Sequence, residues 1–240
     1  MKKLSTLITV FLLTLGSNAQ NLTSFQRGEM QLGQQVRFNN FKQQAVIMSG
    51  NFASLKATPI STDGSEYLFD TWDNKTIITL NNKKYSFSNM NFNIEKEQFM
   101  SKIEGDSLFI FDFKKLDKVI VNGKEFKSIY SPEDNAEKVF QVIYENSDFS
   151  ILKKYSIKFI ESSPDPMLNR SRNKLVKLEN YFLMKNGVFT PFKLKKKSVT
   201  NLIQKDIDQS SLDNYVKSNN LSYKNEQDLK KIFDFSYQAK

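Results

Sequence analysis

The sequence predicts an α+β fold: a mainly antiparallel β-sheet, curled or split into a sandwich, with short helices at the C-terminal end. Three observations carry this expectation. Short runs rich in aromatic and β-branched residues, separated by turn residues, fill the middle of the 240-residue chain. After about residue 198 the spacing of apolar positions lengthens from two toward 3.6. Finally, 21 Phe and 9 Tyr supply the bulk of a core, and with no Cys the fold rests on packing without disulfides.

From the beginning of the chain, Lys2 and Lys3 precede an apolar stretch at 4–15, which ends in small residues at Ser17 and Ala19. That order reads as a secretory signal peptide over residues 1–19, cleaved after Ala19. Its apolar part is shorter than the roughly 20 residues that span a bilayer. No Cys follows it to carry a lipid anchor, and no later stretch is long and apolar enough for a membrane helix. The expected placement is therefore exported: periplasmic, outer-membrane-associated or secreted.

Residues 20–60 are polar and rich in Gln and Asn, and read as a loosely structured lead-in. The β-rich domain then occupies 61–240. Strand runs are expected at 76–80, 84–87, 98–103, 107–111, 118–121 and 125–129. Their joints are Asn81-Asn82, Glu104-Gly105-Asp106 and Asn122-Gly123, and the last suits a two-residue hairpin because both residues tolerate positive φ. After the breaker at 131–135, runs at 139–144 and 149–155 flank Asn146-Ser147-Asp148. A further pair at 181–184 and 188–192 flanks Lys185-Asn186-Gly187. Between these pairs, 161–173 holds Pro164 and Pro166 and reads as an exposed loop.

Helices are expected at 198–205, 211–218 and 226–237. In the third, Leu229, Ile232, Phe233 and Tyr237 share one face, Lys230, Lys231 and Asp234 face away, and Asn225 stands as N-cap. Acidic residues at 226 and 228 suit the positive end of the helix dipole.

The chemistry is bounded by what the chain lacks. With neither His nor Cys, it excludes Ser-His-Asp and Cys-His machinery and every imidazole or thiolate metal site. The eight Gly residues are scattered singly, so no phosphate cradle or dinucleotide fingerprint forms and no cofactor is expected. A formal charge of +9 comes almost wholly from Lys, with Arg only at 27, 37, 170 and 172. Nucleic-acid reading, which favours planar Arg, is disfavoured, while salt-dependent attraction to an anionic envelope polymer fits.

Two clusters stand out. Asp63, Glu66, Asp70 and Asp73 lie close to the only Trp, Trp72. They read first as solvated acids beside buried rings, second as weak candidates for calcium, third as paired carboxylates for glycoside hydrolysis. Lys193, Lys195, Lys196 and Lys197 form the densest basic run, at the passage from the last strand to helix. They read as a solvated strand end or as a surface for an anionic polymer. The leading functional expectation is a non-catalytic cell-envelope protein that binds another protein or an anionic surface polymer. A carboxylate-dependent glycan-acting enzyme and a calcium-stabilised binding module are the alternatives.

The stretch Gly64-Ser65-Glu66-Tyr67-Leu68-Phe69-Asp70-Thr71-Trp72, the hairpin-rich region after it and the ending at 212–237 resemble a group of uncharacterised exported proteins of Bacteroidota-type bacteria. The resemblance implies export and carries over no activity and no site residues. Within such bacteria Asp106-Ser107-Leu108 resembles an O-glycan acceptor.

Overall fold

The computed structural model describes residues 34–35, 50–54, 62–103, 107–163, 172–203 and 208–238. The expected signal peptide, most of the lead-in and the joint at 104–106 lie outside them, as do Pro164 and Pro166.

Fourteen strands form among the described residues. The first three are β1 (Gln34–Gln35), β2 (Gly50–Ser54) and β3 (Thr62–Asp63). The meander follows as β4 (Thr76–Leu80), β5 (Lys83–Phe87), β6 (Met90–Asn93), β7 (Gln98–Lys102) and β8 (Ser107–Phe111). A 3-10 turn at Phe113–Lys115 leads to β9 (Lys118–Val121) and β10 (Lys124–Ser131). The long strands are β11 (Ala136–Glu145), β12 (Ser150–Ile160) and β13 (Asn173–Lys185), and β14 (Val188–Phe192) closes the series. The chain ends in helices α1 (Lys196–Thr200), α2 (Gln209–Ser218) and α3 (Glu226–Gln238).

Turn chemistry fixes the hairpins. Asn81 and Asn82 (φ 51° and 59°), Asn122 and Gly123 (49° and 80°), and Asn186 and Gly187 (52° and 75°) all sit in the left-handed region. Two successive positive φ values make the tight two-residue turn whose twist matches the flanking strands. The registers close around them, Leu80 on Lys83, Val121 on Lys124 and Lys185 on Val188. At the β11–β12 joint the Asn146 carboxamide oxygen accepts from the backbone N–H groups of Asp148 and Phe149, both at 2.9 Å, standing in for a backbone turn.

The larger sheet has ten strands in the order β1-β5-β4-β9-β10-β11-β12-β13-β14, with β3 against β13. It is curled and mainly antiparallel, the two-residue pairs β1–β5 and β3–β13 being parallel. The smaller sheet, β2-β8-β7-β6, is antiparallel throughout. Both expected forms are therefore realised together: a sandwich over part of a curled sheet, with helices beyond it.

One cross-strand row explains how the core is divided. Tyr85, Ile78, Val119, Phe126, Gln141, Lys153, Tyr181 and Phe192 are successive register partners from β5 to β14, so all eight side chains share one face. The first four belong to a cluster with Phe92, Phe99, Phe109 and Phe113, through which the smaller sheet packs on the larger. The last, Phe192, belongs to a second cluster with Tyr144, Phe149, Leu212, Leu229, Ile232 and Phe233, through which the helices pack on the same face. A bulge at Ile143 shifts the β11 register and presents both Ile143 and Tyr144 to that cluster.

Several boundaries differ from the sequence reading. Strand β6 is unpredicted because its Asn91 and Asn93 suggest a turn, yet both are buried and their side chains bond backbone. Residues 161–163 and 172 are irregular as expected, but β13 begins at Asn173 and is far longer than the run at 181–184. The first helix covers Lys196–Thr200 and not 198–205. Lys195, extended at φ −150°, stands before its first turn, and only Val199 of that helix is buried. The third helix follows expectation, with Asn225 accepting from the N–H groups of Gln227 and Asp228, although Asp234 is half-buried and not turned fully to solvent.

Candidate functional site

The acidic cluster is built by amide side chains. Residues 64–75 are joined to β6 by a single backbone bridge, Tyr67 with Asn93, and Asn91 of β6 continues the attachment: its Nδ2 donates to the carbonyls of Phe69 and Thr71, and its Oδ1 accepts from the Phe69 N–H. Asn74 donates to Thr71 and Met90 in the same way. Tyr67 and Trp72 pack ring on ring at 5.1 Å, while Leu68 and Phe69 lean on the sandwich core.

The acids themselves disperse. Asp63 meets Arg172 at 2.9 Å and Asp70 meets Lys177 at 3.4 Å, the Asp70 side chain being 96% exposed. Asp73 is exposed and Glu66 half-buried. Among the described residues no group of three or more acids is gathered to hold a metal ion. Cations in or next to β13 hold two of these acids on the surface, where such pairs are each worth ~0–1 kcal/mol. Ser107 is exposed at the start of β8, and its neighbour Asp106 lies outside the described residues.

The basic run has a firmer frame. Phe192 before it and Val199 after it are buried in the helical cluster. Lys193, Lys195, Lys196 and Lys197 are all exposed. Lys196 is held by Asp213 of α2 at 2.9 Å. Lys193, Lys195 and Lys197 have no carboxylate partner among the described residues. Anchored ends and free ammonium groups give a compact patch of positive charge.

A third constellation was not read from the sequence. Where the long cross-strand row passes from the sandwich to the helices, it turns polar. Lys153 is only 3% exposed, and its ammonium lies 2.5 Å from Glu226 and 3.2 Å from Glu179. Tyr181 donates to Glu226 at 2.6 Å, Tyr155 donates to the Gln141 carboxamide oxygen at 2.6 Å, and the Gln141 amide donates to Glu226 at 3.3 Å. The Lys153 ammonium also lies over the Tyr155 and Tyr181 rings, at 4.8 and 5.5 Å. The alternation Ile151, Lys153, Tyr155 was the available signal, since it turns a lysine inward beside two residues of the core.

Burial works against the charged Lys153, but the Glu226 carboxylate and the Tyr155 hydroxyl outweigh it and hold its pKa above the ordinary lysine value. Burial likewise opposes ionised Glu226, yet Lys153 and Tyr181 draw its pKa below the carboxylate range. Burial pushes Tyr155 up to about 12, and burial with the Glu226 bond raises Tyr181. The arrangement keeps a charged pair fixed where the strand meets the helix. It works as a fastener between sheet and helix.

A pH prediction follows from these directions. Glu226 titrates lower when folded, so its contribution is complete above the ordinary carboxylate pKa and fades as pH falls through the depressed value. Lys153 and Tyr155 titrate higher when folded, so their contributions are complete below about 10 and fade as pH rises through their raised values. Urea midpoints measured against pH should therefore form a plateau with both limbs, and Glu226→Gln should flatten the acid limb. An unchanged acid limb in that variant would refute the assignment.

A groove of about 600 Å³ opens beside the sandwich, between the turn after β6, the 3-10 turn and the strands β10 and β11. Among the described residues no helix is long and apolar enough to cross a membrane. Comparison with protein-family models, with curated proteins and with solved structures finds no match to the chain.

Proposed function

We propose that this chain is a non-catalytic, exported cell-envelope protein that holds an anionic surface polymer, or an acidic envelope protein, on the lysine patch at the β14–α1 junction. One observation carries the reading: Lys193, Lys195 and Lys197 stand exposed, with no carboxylate partner among the described residues, between two buried anchors, Phe192 and Val199. Charge held on a fixed frame loses less freedom on binding than charge on a loose tail. Export rests on the signal-peptide pattern at 1–19 and on the resemblance to exported Bacteroidota-type proteins.

The test is retention on an immobilised polyanion such as polygalacturonate. The parent chain should elute with rising salt, and Lys193→Gln/Lys195→Gln/Lys197→Gln should bind more weakly by roughly fivefold per lysine, at ~1 kcal/mol each. Its melting temperature should not change, because none of these ammonium groups is paired among the described residues. Equal retention of the triple variant and the parent would defeat the proposal.

A further inference from the structure

We propose that the 600 Å³ groove beside the sandwich is a binding site for an acidic saccharide. It shares no residue with the lysine patch and does not depend on that reading. Its volume falls in the ~300–1,000 Å³ range of small-ligand clefts. Lys96, Glu97, Gln98, Lys114, Ser128 and Glu137 supply polar groups at its wall.

The acids of the groove are already engaged. Glu97 pairs with Lys138 at 3.3 Å, Asp112 with Lys115 at 3.2 Å, and Glu137 accepts from the Ser128 hydroxyl at 2.8 Å. Lys96 and Lys114, both exposed, have no carboxylate partner among the described residues. Two ammonium groups without a carboxylate partner among the described residues thus stand at a concave surface where two of the three acids are already paired with lysines, which leaves positive charge for an anionic guest.

Two further observations narrow the guest. The Gln98 carboxamide oxygen is shut from water and has no donor. Gln98 also lines the groove wall, and an amide there both donates to and accepts from a ligand hydroxyl. Glu97 has φ 53°, while the other non-glycine residues at positive φ among those described are all Asn. A long side chain held in that region is strained, and such strain gathers where a binding surface must be kept in one shape.

Hydroxyls and a carboxylate on one small molecule are the chemistry of a uronic or sialic acid unit. A nucleotide fits less well, since Phe111 and Phe113 in the wall are buried and offer no face for stacking. Among the described residues no Arg lines the groove to grip a phosphate with two bonds.

The experiment is an NMR titration of the purified, isotope-labelled protein with tri-galacturonate, tri-glucuronate and sialyllactose, with lactose as the uncharged control. At least one acidic saccharide should shift the amide signals of Lys96, Glu97, Gln98 and Lys114 at millimolar concentration. Lys96→Gln/Lys114→Gln, which removes two exposed charges, should weaken this at least tenfold. Lys193→Gln/Lys195→Gln/Lys197→Gln should leave it unchanged. Shifts confined to 193–197, equal shifts with lactose, or no shifts with any acidic saccharide would each overturn the proposal. The first of those outcomes would leave the lysine patch standing by itself.

Discussion

Lys153→Met is expected to destabilise the protein by ~3 kcal/mol at neutral pH, near the lower end of the ~3–5 kcal/mol seen when one member of a buried ion pair is removed. The lower end applies because the stranded partner is not sealed. Glu226 keeps 24% of its side-chain surface in water and its bonds from Tyr181 and Gln141, and Glu179 is nearly half exposed. The substitution also severs the contact that ties the first turn of α3 to β12. Removing both charges has a different consequence. Lys153→Met/Glu226→Leu should return to within about 1 kcal/mol of the parent, since an apolar seam replaces a desolvated pair without leaving a buried charge. Urea unfolding of the two single variants and the double variant closes the cycle. A coupling below ~0.5 kcal/mol would show that the pair is not a fastener at all.

The fastener also marks the limit of what could be read from the sequence. Its β12 half was legible, because strand periodicity places Lys153 between Ile151 and Tyr155 on one face. Its other half comes from Glu226, 85 residues beyond Gln141, and nothing local announces that meeting. The Asn-Gly and Asn-Asn hairpins were legible for the opposite reason, since their φ requirement is met by the turn residues themselves. Strand β6 failed where local preference and burial disagree: all four residues are buried, and two are Asn, of which Asn91 bonds the backbone at 69–71 and Asn93 accepts from the Lys96 N–H in the turn that follows. Helix α1 begins at Lys196, ahead of the expected start at Ser198, with Lys195 as the extended residue before the first turn. The lysine patch was visible as composition, but its rigidity depends on Phe192 and Val199 joining a core contributed by distant helices. The groove was invisible, for its walls come from separate hairpins.

Phe233→Ala should cost more than Lys153→Met, ~3–5 kcal/mol, and should act mainly on the helical side of the molecule. Phe233 is fully buried, stacks on Tyr144 at 4.6 Å and meets Phe149 edge-on at 5.5 Å. Those two rings flank the β11–β12 turn, so Phe233 ties α3 to that turn. Truncating it leaves a cavity lined by two aromatic rings fixed in β11 and beside β12, which cannot collapse to fill it. The sandwich cluster around Phe99 and Phe126 does not include Phe233 and keeps its own ring contacts at 5.3 Å. Hydrogen exchange should therefore quicken first in α2, α3 and the β11–β12 turn, with β4, β9 and β10 still protected up to the global unfolding free energy. A uniform rise in exchange over both clusters would mean that the molecule opens as one cooperative unit. The polar seam at Lys153 would then transmit instability between the two halves and not divide them.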